Sequence, residues 1–164
     1  MIADIFSFDK CDIFYQKALK LSKEVLNNDH PYLLSCLNNI GNLNYIKQDY
    51  DKADSFFLES LKLRKLSLGE KNPLVALTLN NLGNLHSDMG NLDKALKYYQ
   101  QSLDIYKETL GDLHPDYASV LEHFGILYSN TEENEKAEQY FKKSIITSIT
   151  MVGPCKAFFA QKPF

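Results

Sequence analysis

Residues 72–113 read NPLVALTLNNLGNLHSDMGNLDKALKYYQQSLDIYKETLGDL, and the 42 residues before them, 30–71, read HPYLLSCLNNIGNLNYIKQDYDKADSFFLESLKLRKLSLGEK. Laid one on the other, they share Pro31/Pro73, Leu37/Leu79, Asn38/Asn80, Asn39/Asn81, Gly41/Gly83, Asp51/Asp93, Ala53/Ala95 and Leu61/Leu103. The same step leads on to Pro115, Gly125 and Ala137. A fixed period of this length is the mark of a stacked repeat, in which one unit cannot bury its apolar face alone and its neighbours do so for it.

Each unit predicts two helices. Pro31, Pro73 and Pro115 suit the first position of an inner helix, where the missing N–H would have no partner anyway. Leu37-Ile40-Leu43, Leu79-Leu82-Leu85 and Leu121-Phe124-Leu127 then recur at helical spacing. A break follows at Gln48-Asp49, Gly90-Asn91 and Glu132-Glu133, with Asp49 and Asn91 as N-caps of an outer helix. The third turn, having Glu132 in place of glycine, is expected to be looser. Asn27, Gly69, Gly111 and Gly153 mark the outer helix ends, since these residue types adopt positive φ most easily. Aromatic pairs Phe14-Tyr15, Phe56-Phe57, Tyr98-Tyr99 and Tyr140-Phe141 precede the small residues Ala18, Ser60, Ser102 and Ser144 by three positions, so large side chains meet small ones. The fold expected is all-α: a solenoid of antiparallel helix pairs, with a lone outer helix at 8–28, repeats at about 31–69, 73–111 and 115–153, and a non-repeat tail at 154–164. Residues 1–7 align with 43–49 and are expected to be the end of an inner helix.

Composition narrows function. At 164 residues and 45% hydrophobic the chain can build a real core, while 18 basic against 21 acidic residues leave a net charge of −3. That balance argues against nucleic acid as the main partner. Cys11, Cys36 and Cys155 are odd in number and without metal-type spacing, so neither a disulfide framework, a metal site nor any cofactor is expected. The acidic start and the lack of any apolar run near 20 residues predict a cytoplasmic protein without a membrane partner.

Leu82-Gly83, Gly90, Ala95, Tyr99 and Ser102 resemble the signature of the tetratricopeptide repeat. The 42-residue period, with Leu79-Asn80-Asn81-Leu82-Gly83 and Leu110-Gly111-Asp112-Leu113-His114-Pro115, resembles more narrowly the long repeats of kinesin light chains. HEAT-type repeats have a similar period and stand as the alternative, but place the Gly, Ala and aromatic columns less well. The resemblance implies a right-handed superhelix whose inner helices line a concave groove for partner segments, and a role as adaptor or scaffold, such as a kinesin light chain-like cargo adaptor. A self-associating regulatory fragment of a longer repeat protein is the second reading. A repeat-fused enzyme would need a further domain: no nucleophile elbow, phosphate-binding glycine loop or HExxH pattern is present, and no enzyme activity or catalytic residue is expected.

If the groove exists, its polar face is readable. Ser35, Asn38, Asn42 and Tyr45 fall on one side of the first inner helix; Asn80, Asn84 and Ser87 follow in the second, and Ser119, Glu122, Ile126 and Ser129 in the third. Asparagine amides can pair with the backbone of an extended peptide whatever its side chains. The opposing reading is that Asn38 and Asn80 persist from duplication or bond across helices. No Lys or Arg lies in residues 31–46, 73–89 or 115–130, so a carboxylate clamp is disfavoured, and Asp88, Asp116 and Glu122 point to a neutral or basic segment. Elsewhere, His30 and His114 read as linker residues, Cys11 as a small packing residue in the Ala53 column, and Lys62-Arg64-Lys65 as a solvated outer face. Ile145, Ile146, Ile149 and Met151 form an apolar stripe that Phe158, Phe159 and Phe164 fold over, or through which copies associate.

Overall fold

In the computed structural model the backbone is described for residues 2–27 and 29–160, and side chains for residues 10, 12–27 and 29–150. Among the described residues there are seven helices and no strand: α1 (Ile2–Val25), α2 (Pro31–Ile46), α3 (Tyr50–Leu68), α4 (Pro73–Asp88), α5 (Leu92–Leu110), α6 (Pro115–Asn130) and α7 (Asn134–Ala160). Consecutive helices pack as antiparallel pairs. Helix α2 also touches α4, and α4 touches α6, whereas among the described residues no two of α1, α3, α5 and α7 meet. A stack that is closed on one side and splayed on the other must curve toward the closed side, so α2, α4 and α6 line the concave face.

The inner helices start as their prolines predict, and the residue ahead of each proline is more than a linker. His30 Nδ1 accepts from the Tyr32 N–H at 3.2 Å, Asn72 Oδ1 from Leu74 at 2.9 Å, and His114 Nδ1 from Asp116 at 3.2 Å. All three side chains are N-caps. Asp49 and Asn91 stand at the N-cap position of the outer helices, but their side chains accept no capping hydrogen bond there. Asp49 instead holds Lys52 at 2.5 Å, and Asn91 Nδ2 lies 3.5 Å from His86 Nδ1.

All three inter-helix turns are the same. Gln48, Gly90 and Glu132 have φ of 61°, 74° and 62°, and each N–H is given to the carbonyl three residues back, in Tyr45, Ser87 and Ser129. Losing the glycine has not loosened the third turn. The outer helices α3 and α5 stop at Gly69 and Gly111, with φ of 84° and 89°, a conformation in which a Cβ would crowd its own backbone. Two expected boundaries differ. Helix α1 runs unbroken from Ile2 instead of starting at residue 8, and α7 passes through Gly153 and Pro154 to Ala160. After Gly69 and Gly111 the chain offers an Asn-Pro or His-Pro start that docks a further helix; residues 154–160 contain none, and without that docking nothing favours the break.

Packing follows the columns. A Cβ on Gly41, Gly83 or Gly125 would come within 2.5, 2.4 or 2.7 Å of the rings of Phe57, Tyr99 and Phe141, so each glycine is the floor on which an aromatic ring of the outer helix lies. The serine column adds a polar clasp: Ser60 donates to the Leu34 carbonyl at 3.3 Å, Ser102 to Ala76 at 2.8 Å and Ser144 to Ala118 at 2.9 Å. Among the described residues three apolar cores result, one around Leu33, Leu37 and Ile40, one around Phe57, Leu82 and Leu85, and one around Tyr99, Leu121 and Phe124. Each joins neighbouring pairs, so truncating one of these leucines to alanine would cost about 2–5 kcal/mol locally.

Candidate functional site

The concave face is built from the third side of α2, α4 and α6, the side that neither the leucine stripe nor the glycine column occupies. Ser35, Ser119, Glu122, Ile126 and Ser129 are exposed there, and Asn42, Tyr45, Asn84 and Ser87 are half-buried. Asn38 and Asn80 are not part of this surface. They are only 4% and 8% exposed, and both are committed to the next inner helix. Asn38 Oδ1 accepts from Asn81 Nδ2 at 3.3 Å, with the Thr78 hydroxyl 3.4 Å away; Asn80 Oδ1 lies 2.9 Å from His123 Nδ1. The step is 43 residues in both pairs. Helix-to-helix bonding is therefore their role, as the opposing reading had it: a buried amide must find partners, and the neighbouring repeat supplies them.

Where α2, α4 and α6 converge there is a cavity of about 180 Å³, lined by Tyr45, Asn84, Ser87, Asp88, Tyr99, His123 and Ile126. Four of these, Tyr45, Asn84, Ser87 and Ile126, are residues the sequence placed on the groove. Tyr45 Oη donates to Asp88 Oδ2 at 2.6 Å, tying α2 to α4. Tyr99 comes from the outer helix α5: lying on Gly83, its ring passes between helices and its Oη donates to Asn84 Oδ1 at 2.7 Å. The Tyr99 ring stacks on His123 at 5.7 Å. Burial pushes the Tyr45 and Tyr99 phenols well above the usual range, aided by the Asp88 charge, and pushes the His123 imidazole down. Both phenols and the imidazole are thus neutral near pH 7.

Tyr99 and His123 were missed by sequence reasoning. Their signal lay in the columns: Phe57 and Phe141 flank Tyr99, so only the middle repeat has a hydroxyl to project, and His123 follows Asn39 and Asn81. A larger recess of about 700 Å³ beside the α2–α3 turn is lined by Asp12, Lys17, Lys47, Asp49 and Lys52 among others. Its charges are mostly paired among themselves, Lys47 with Asp12 at 2.9 Å and Lys52 with Asp49 at 2.5 Å.

Arg64 is the one member of its basic cluster that departs from the outer-face expectation. It is 2% exposed, and its Nη1 donates at 2.7 Å both to the Leu74 carbonyl and to Thr78 Oγ1. Burial lowers the guanidinium pKa to about 10. The side chains of Cys11, Met151, Phe158, Phe159 and Phe164 lie outside the described residues.

The tetratricopeptide repeat pattern matches residues 6–66 and 74–145, and the chain belongs to that family. Proteins of this family are typically non-enzymatic modules for protein–protein interaction. Among solved structures it is similar to BtubC (BKLC) from P. vanneervenii, with 25% identity, a TM-score of 0.81, and 90% of this chain covered. It spans 59% of the BtubC chain. The fold is also similar to the nearly identical TPR-like repeats of a kinesin light chain candidate from Podosopora anserina, and to a single-substitution variant of those repeats. Both are 12% identical, with TM-scores of 0.70 and 0.73, over 88% of this chain and 68% of those. No curated protein matches the chain. No helix among the described residues is long and apolar enough to cross a membrane.

Proposed function

We propose that this chain is an adaptor or scaffold module whose concave face takes a neutral or basic peptide segment of a partner protein in the cytoplasm. The observation that carries the reading is the absence of any Lys or Arg from α2, α4 and α6, combined with a cavity at the point where these helices meet. A face with exposed Asp88, Glu122 and Asp116 and no cation repels an acidic segment and steers a basic one. Ser35, Asn42, Asn84, Ser87, Ser119 and Ser129 would supply main-chain contacts; Asn38 and Asn80 would not. A kinesin light chain-like cargo adaptor is the particular form that the 42-residue period favours.

Selection of random displayed dodecapeptides on the purified protein tests this. Enriched sequences should be uncharged or basic, and Glu122→Lys should shift the selection away from basic ones. Enrichment of acidic peptides, or an unchanged outcome with Glu122→Lys, would overturn it.

A specific observation favours self-association as a second reading. Ile146 and Ile149, exposed on α7, occupy columns held by Lys20, Lys62 and Asp104 and by Lys23, Lys65 and Lys107 in the earlier copies. Phe14 and Leu21, exposed on α1, occupy columns whose later members Phe56 and Leu63 pack against the core around Leu33 and Leu37 of α2. Both ends thus carry apolar surface that a second copy could cover.

A further inference from the structure

In the cavity between α2, α4 and α6 both phenol protons are already spent. Tyr45 gives its proton to Asp88, and Tyr99 gives its own to Asn84. His123 Nδ1 faces a carbonyl oxygen, that of Asn80, so Nδ1 carries the proton and Nε2 is an acceptor. Left to a ligand are the Asp88 carboxylate, the lone pairs of two phenolic oxygens and an imidazole nitrogen, with the Ser87 hydroxyl and the Asn84 amide N–H as neutral donors beside them. Among the described residues no Lys or Arg lines the cavity or pairs with Asp88. The walls between these acceptors are two tyrosine rings and Ile126.

We propose that this cavity receives the end of one lysine or arginine side chain, its aliphatic stem along Ile126 and the tyrosine rings and its cation at Asp88. An ammonium brings three N–H donors and a guanidinium five, with no acceptor to waste, which matches an acceptor-rich pocket. A carboxylate or phosphate would meet the Asp88 charge with only neutral donors, the Ser87 hydroxyl and the Asn84 amide, to offset it, and a purely apolar group would strip water from the acceptors without replacing its hydrogen bonds. The inference rests on the groove reading for the segment that would carry the side chain, but the cavity can be probed without any peptide.

Backbone amide NMR titration with butylammonium, propylguanidinium and neutral pentanol provides the test. Either cation should shift the amides of residues 84–88 and 126, more weakly at high salt, while pentanol leaves them in place. Whichever cation binds tighter distinguishes lysine from arginine. Asp88→Asn, which still accepts from Tyr45, should weaken the cations about tenfold, as loss of a charge-assisted contact does. Equal shifts with pentanol, or unchanged cation affinity in Asp88→Asn, overturn the proposal. Cation binding without any peptide selected sinks the groove reading alone; peptides selected without regard to lysine or arginine, together with silent cations, sink the cavity alone.

Discussion

Asn38 and Asn80 show how a residue type on the right helical face can still belong to the interior. Helical periodicity puts them beside Asn42 and Asn84, but the curve of the stack brings α4 and α6 close enough to cover them. Asn38→Ala should therefore act on stability: it leaves Asn81 Nδ2 without its acceptor in a half-buried site, at a cost of about 1–2 kcal/mol, visible as a lower urea midpoint. Unchanged stability in that variant would return Asn38 to the list of ligand contacts. Arg64 teaches the same lesson with charge. Its position in a run with Lys62 and Lys65 reads as a solvated face, yet the guanidinium reaches across to the first two turns of α4, where the Leu74 carbonyl and the Thr78 hydroxyl hold it. Neither partner is a neighbour in sequence, so no local pattern announces it.

The helical hairpin was legible almost to its boundaries, because prolines, glycines and stripes act locally. What the sequence could not show is that the turn conformation is imposed by the packing of the two helices and not by the residue within it. Gln48 and Glu132 are held at positive φ, where an L-residue is disfavoured by about 1–2 kcal/mol, in the position Gly90 fills at little cost. Replacing either with glycine should raise stability by about 0.5–1 kcal/mol after the added chain entropy is subtracted. Thermal unfolding of Gln48→Gly, Glu132→Gly and the double variant would check this, with equal or lower midpoints counting against it. The reverse failure occurs in α7, where Gly153 has the residue type of a helix stop but, among the described residues, no further helix docks to enforce it.

At the scale of the whole molecule, the three cores found among the described residues stand in series, so stability comes from neighbours, and exposed apolar side chains gather on α1 and α7. If the apolar ends meet, sedimentation equilibrium should show mass rising with concentration, and Ile146→Lys with Ile149→Lys, which restores the charge pattern of the earlier columns, should abolish the rise. A constant monomer mass throughout would remove self-association as a reading. The sequence by itself determined the repeat, the helix pairs, the aromatic-on-glycine packing and a concave face without cations, because each depends on residue type at a fixed local spacing. Only the tertiary structure decided which polar residues on that face remain available, and that Tyr99 and His123 join Tyr45 and Asp88 around one cavity. The physical reason is curvature: small angles between successive pairs add up along the stack, burying some positions of a column and opening others that are identical in one dimension.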